Sequence, residues 1–414
     1  MTPTRPVPAR RRPFAPTPLA LALAFAAPTA ALADDPVLRS AGELEFGDGG
    51  TLFVGDGYAS RVVAFETGET GAADPGAWKP AFARAIDRTI AALVGADPVE
   101  VAINDMAVHP ATGDVYLSAH VGLSADPLAL LVRHRQGTDT LELVDHEALA
   151  RDALSLPDPY DFDETLQYGQ SIRTLTITDL TWHDGELLVA GVSDREFAST
   201  LRRARFPFDA DDLDVASIEI YHGAHDRQET RAPIVTSVVH EIDGEPHLIA
   251  AYTCTPLVTI PLDALEDGAH VIGNTIAELG FGNTPVDMFV YRDMELLGGG
   301  ERLLVTNDQR GAVSVSTASL GGAPTLGERA IGPVGLDQRT LPLTGSLHTA
   351  PLGPRMTVTV RRNLETGELN LQTVPTGAFF EVSEAIVEYN FEEEPSGFPS
   401  LNPLTYDGFG NQGG

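Results

Sequence analysis

Cysteine is nearly absent from this chain: Cys254 is the only one in 414 residues. An intrachain disulfide is therefore impossible, and so is the C-x-x-C-H attachment of a c-type haem. Cys254 lies in the apolar run 248–255 and reads as a buried, inert thiol. Lysine is almost as scarce, since Lys79 is the sole one and arginine carries the remaining basic charge. Acids outnumber Lys and Arg by 59 to 27, giving a formal charge of −32. Such a surface repels nucleic acid and anionic membranes. The sequence also lacks G-x-S-x-G, H-E-x-x-H, a phosphate-binding glycine loop and a dinucleotide fingerprint. No apolar run is long enough to span a bilayer.

What is present begins with an arginine-rich start. Arg5, Arg10, Arg11 and Arg12 precede an Ala/Leu-rich stretch at 18–32 and the small-residue end Ala31-Leu32-Ala33. That layout predicts a signal peptide over 1–33 and a secreted or periplasmic protein. Arg11-Arg12-Pro13-Phe14 has the twin-arginine shape, but Pro13 weakens it, so Sec and Tat export both stay open. From residue 389 onward the chain turns to Glu392-Glu393-Glu394 and then to Pro, Gly and Asn, which predicts a disordered tail over 389–414.

Between these ends one pattern recurs: an apolar strand, a Gly/Asp turn and a second apolar strand. Successive copies start near Leu44, Asp105, Asp179, Thr236 and Asp287, and a weaker one near Thr357. β-Branched and aromatic residues flanking Asp184-Gly185 and Asp243-Gly244 are hairpin signatures. Starts spaced by roughly 50–75 residues suit four-stranded blades with some long loops. The expectation is an all-β fold, a single β-propeller of six or seven blades over 34–388, against the alternatives of a β-sandwich or an open solenoid. Phe82, Ile86, Ile90 and Leu93 predict an inserted amphipathic helix over 80–94, and 145–154 suggests another helical turn.

Asp105, Asp179 and Asp287 hold the same place in three copies, each at the start of the first strand of its hairpin. Radial stacking would bring them to one mouth of a central channel. Converging carboxylates are hard oxygen ligands suited to Ca²⁺ or Mg²⁺, with Asn104 and Asn283 as neutral oxygen donors. The alternative is that each Asp accepts backbone hydrogen bonds where its own strand begins.

The copies resemble the blades of NHL-type and gluconolactonase-type propellers. The segments that carry the likeness are Gly50-Thr51-Leu52-Phe53-Val54-Gly55-Asp56 and Asn104-Asp105-Met106-Ala107-Val108-His109-Pro110 with Val115-Tyr116-Leu117. The resemblance implies a propeller, and in gluconolactonase-type enzymes one divalent cation held by a Glu, two Asn and an Asp. Asn104, Asn283 and Asp287 are the positions loosely placed for that set, and Glu43 and Glu45 lie in the copy where its glutamate belongs. With only Trp78 and Trp182, the chain departs from the repeated tryptophan motifs of quinoprotein dehydrogenase propellers, which argues against a bound quinone.

Other polar clusters read more simply. His120, Asn307-Asp308 and Asp56 follow second strands and would border the opposite rim. His222-Gly223-Ala224-His225-Asp226 looks like part of a metal site, but no third ligand is evident, so it reads as a polar hairpin turn. Asp209, Asp211, Asp212 and Asp214 lack the glycine and the terminal acid of a calcium loop. Arg202-Arg203-Ala204-Arg205 reads as paired with acids such as Asp209 and Asp211. The preferred function is a monomeric binding or scaffold module for an unidentified protein or small-molecule ligand, with Ca²⁺ as the expected ion. A metal-dependent hydrolase or lactonase, and an accessory subunit of an exported redox enzyme, are the alternatives.

Overall fold

Short alternating strands closed by tight turns cannot bury both faces alone, and here each such sheet packs on two neighbours. The structure is a computed structural model that describes residues 36–377, apart from 70–73, 123–126, 167–168, 170, 254–255, 281, 295–298, 309, 342 and 364–365. The proposed leader, the acidic tail and Cys254 lie outside the described residues.

Among the described residues the strands form six sheets, antiparallel except where His270–Ile272 joins Leu213–His222 in parallel, named here as blades I to VI in the order in which their inner strands occur. Those inner strands are Leu44–Phe46, Val101–Val108, Asp179–His183, Ile234–Ile242, Pro285–Arg292 and Ser346–Pro351. Blade III illustrates how sequence makes a blade. Asp184 and Gly185 both have positive φ, 47° and 82°, as the two-residue hairpin turn requires, so Glu186 pairs with His183 and Val189 with Leu180. Asp243 and Gly244 repeat the device in blade IV, with φ of 54° and 87°.

The inner strands touch in a closed ring, in the order I–II–VI–V–IV–III and back to I. The molecule is thus a six-bladed β-propeller. Each of the six boundaries carries its own apolar cluster. Phe46 and Leu52 meet Tyr116 and Leu131 between I and II, and Leu117 meets Val358 and Leu371 between II and VI. Phe53 and Val62 meet Leu180 and Leu187 between I and III, while Tyr291 and Leu304 meet Val374 between V and VI. Blade II therefore sits between I and VI, out of chain order. The chain leaves blade I after three strands, builds blade II, and returns to add Arg151–Ser155 as the outer strand of blade I. That strand replaces the helical turn anticipated over 145–154.

The inserted helix α1 spans Ile86–Val94, later than the sequence suggests. Ile86 and Ile90 are fully buried against blades II and VI, whereas Phe82 and Leu93 are exposed. The chain before α1 is extended, because its backbone is captured by the outer strand of blade VI, Leu369–Pro375. Ala83 exchanges two 2.9 Å backbone hydrogen bonds with Leu371, and Ala81 N–H donates to Thr373 Oγ1 at 2.8 Å. This segment covers an edge that would otherwise present unpaired backbone groups.

Candidate metal centre

Side chains along a strand point alternately to its two faces. Inner-strand side chains of both faces enter the boundary clusters, as Met288 and Phe289 do, and residues at the inner edge border the axis. In blade I, Leu44 and Phe46 are core residues, and Glu43 and Glu45 border a central cavity of about 310 Å³. The residue just before the inner strand's apolar anchor is Glu43, Asp105, Asp179, Ser237, Asp287 and Thr349 in blades I to VI, and all six border that one cavity. Four are acids. Glu45 adds a fifth carboxyl, and the lining contains no lysine or arginine.

The three sequence-predicted aspartates converge as expected. Each also binds the next blade. Asp105 accepts Leu44 N–H of blade I at 2.7 Å, and Asp287 accepts Thr349 N–H of blade VI at 2.6 Å. Asp179 accepts the hydroxyl of Ser237 in blade IV, which is itself 2.8 Å from Thr181 Oγ1. The aspartates meet at the axis and stitch blades together, and these bonds cross a blade boundary where the alternative placed them at the start of each aspartate's own strand. Asn104 and Asn283 do not border the cavity. Asn104 Nδ2 donates to Ala41 O at 2.6 Å, and Asn283 Nδ2 to Asn307 Oδ1 at 2.7 Å.

Electrostatics set this ring apart. Burial, with the charges of Asp105, Asp179 and Asp287 added, holds Glu43 well above the usual carboxyl range. Glu45 is raised by burial and by Asp179, and Asp287 by burial and then by Asp105. Burial lifts Asp179 against the opposing Ser237 hydrogen bond, and lifts Asp105 to about 7 against those of Leu44 and Met106. These groups are surrounded by protein and still border the cavity, so each can be reached by a small ion. Five carboxyls with no lysine or arginine beside them oppose one another's ionisation, and a bound cation would relieve that opposition.

Sequence reasoning missed His348. Burial lowers its imidazole to about 4, so it is neutral at pH 7. Its Nε2 lies 3.4 Å from Ile103 O and its Nδ1 3.6 Å from Asp105 Oδ1. With Nε2 donating to Ile103, the Nδ1 lone pair faces the carboxyl, and Nδ1 has no hydrogen-bond partner among the described residues. Asp105, Asp287 and His348 each present one ligand atom within 4.8 Å of the others.

The remaining candidates resolve into structural roles. Asp56 is fully buried and ties residues 39–40 to blade I, accepting Arg39 N–H at 3.0 Å and Ser40 N–H at 2.9 Å beside its ion pair with Arg61. Asp209 caps a short 3₁₀ turn. The partners expected for the arginine cluster change: Arg203 and Arg205 pair with Glu186, their neighbour across the strand pair, rather than with Asp209 or Asp211. Arg202 is buried and donates to Thr176 O and Val192 O at 3.1 Å each.

No family model matches the chain, and no curated protein does. Solved structures with a similar trace include virginiamycin B lyase from Staphylococcus aureus, 7% identical, covering 81% of this chain and 95% of its own, with a TM-score of 0.34. Drosophila semaphorin 1b is 11% identical over 80% of this chain and 84% of its own, TM-score 0.33. The PQQ-bound aldose sugar dehydrogenase of Streptomyces coelicolor is 10% identical over 81% and 94%, TM-score 0.29.

Proposed function

We propose that this propeller is a binding module whose central cavity holds a hard divalent cation, Ca²⁺ or Mg²⁺, and that the cation completes the surface presented to a ligand. The observation that carries this reading is the recurrence of an acid at one inner-strand position in blades I, II, III and V, without a lysine or arginine in the lining. Carboxylates of Glu43, Asp105, Asp179 and Asp287, with the hydroxyls of Ser237 and Thr349, form an oxygen-rich donor set of the kind these ions take. An exported protein, with residues 1–33 as its leader, would work where calcium is abundant.

A hydrolase or lactonase is the second reading, favoured by the neutral His348 and the high-pKa Asp105 side by side. Cation-bound water and a nearby proton acceptor are the parts such chemistry needs. Against the gluconolactonase pattern, Glu43 is well placed, but both asparagines lie off the cavity. Thermal unfolding with and without millimolar Ca²⁺, alongside a lactone-hydrolysis assay, separates the readings. The module predicts a calcium-dependent rise in Tm and no turnover. Turnover that chelation abolishes would favour the hydrolase.

A further inference from the structure

Outside the central cavity, the outermost hairpin of blade III gathers a second set of ligand atoms of different chemistry. Strand Leu213–His222 pairs with Arg227–Glu229, so that Ile220 faces Glu229 and His222 faces Arg227. Residues two apart share a face, which puts His222 and Glu229 on one side of the ribbon. The intervening turn, with Asp226 at φ 54°, folds His225 back over the same side. The result is a carboxylate with an imidazole on each oxygen. His222 Nδ1 is 2.9 Å from Glu229 Oε2, and His225 Nδ1 is 2.6 Å from Glu229 Oε1. The two rings lie 4.1 Å apart.

The hairpin is rigidly held. The buried carboxyl of Glu278 accepts Gly223 N–H at 2.6 Å, Ala330 N–H donates to Gly223 O at 3.0 Å, and Tyr221 Oη donates to Asp226 at 2.7 Å. His222 is only 1% exposed, and its Nε2 has no hydrogen-bond partner among the described residues. Glu229 and His225 border an open cavity of about 530 Å³.

We propose that His222, His225 and Glu229 form a site for a divalent transition metal of the zinc–copper class. Two imidazole nitrogens and one carboxylate are the donor set those ions prefer, and calcium or magnesium would not select it. At metal–ligand distances of about 2.0–2.2 Å, adjacent ligand atoms of a tetrahedral ion stand ~3.3 Å apart. The three ligand atoms already lie within 4.8 Å of one another, and the two His–Glu contacts need to lengthen by only about half an ångström to admit one. The ion takes the Nδ1 position of both rings, each of which then carries its proton on Nε2, and its open positions face the cavity. Arg227, whose Nε is 3.0 Å from Glu229 Oε1, competes for the same oxygen, and its side chain is 68% exposed and free to swing away.

The test uses the full chain, stripped with chelator and titrated with Co²⁺ by visible absorption and with Zn²⁺ by calorimetry at pH 7.5. One equivalent is expected, with affinity falling at least tenfold in His225→Ala and in Glu229→Gln and rising in Arg227→Ala. The Asp105→Asn/Asp287→Asn double variant should keep the site, which separates it from the central cavity. His225 is partly exposed, and Tm measured without metal confirms that its variant folds. Absence of uptake by the wild type, or uptake unchanged in folded His225→Ala and Glu229→Gln, would overturn the proposal.

Discussion

Asp105 accepts the backbone N–H of Leu44 at 2.7 Å across the boundary between blades I and II, which sets its carboxyl at the same cavity as that of Glu43, the residue before Leu44. Burial and the negative charge of Asp105 raise Glu43, so a proton or a nearby cation relieves the two carboxyls. The pair therefore defines two states of the central cavity, one protonated and one cation-bound, and most of the predictions concern the balance between them.

In the cation-free protein, stability should fall as pH rises. Asp105 titrates at about 7 when folded and at about 3.9 when unfolded. Between those values the native state binds more protons than the unfolded chain, so unfolding becomes easier with increasing pH. Urea midpoints measured in chelator should drop from pH 4 to pH 7 and recover at pH 7 when Ca²⁺ is added. Asp105→Asn should flatten the slope.

The stitch between blades V and VI should be separable from charge. Asp287→Ala and Asp287→Asn both remove the carboxylate, but only asparagine retains an acceptor for Thr349 N–H, which Asp287 now holds at 2.6 Å. Leaving that N–H unpaired costs about 1–3 kcal/mol. The alanine variant should be less stable than the asparagine variant by that amount in urea unfolding, while neither holds calcium like the wild type.

Closure of the ring through α1 gives a third expectation. Ile90 is fully buried between blades II and VI, and Phe82 is 47% exposed. Ile90→Ala should cost about 2–5 kcal/mol, and Phe82→Ala within about 0.5 kcal/mol. Hydrogen exchange should show the loss first at Ala83 and Leu371, whose mutual hydrogen bonds hold the inserted segment to blade VI.

The hairpins were legible because their signals are local. Asp184-Gly185 and Asp243-Gly244 dictate their turns wherever they occur. Blade order was not legible, since the placement of blade II between I and VI is decided by non-local packing such as Phe46 on Tyr116. Three members of the axial ring were found by equivalence between copies. Glu43 was named only through the resemblance, because it stands one residue before the strand signal, and Ser237 and Thr349 were missed because hydroxyls carry no obvious chemistry alone. His348 and Thr349 lie on Ser346–Pro351, a strand whose bulge at Ser346/His348 and terminal proline blur its alternation. The weak sixth copy was in fact the second and third strands of that blade, Met356–Arg362 and Leu369–Pro375. Helix α1 starts late because tertiary pairing with Leu371 overrides the pattern of residues 81–83. Glu229 joined the histidines only once the hairpin register was known.

The most direct test of the central claim is the number of calcium or magnesium ions bound per chain at equilibrium, near pH 7.5, in the wild type and in Asp105→Asn and Asp287→Asn. The account predicts one ion for the wild type and weakened or lost binding in both folded variants. A wild type that binds neither ion, or variants that bind as well as the wild type, would contradict it.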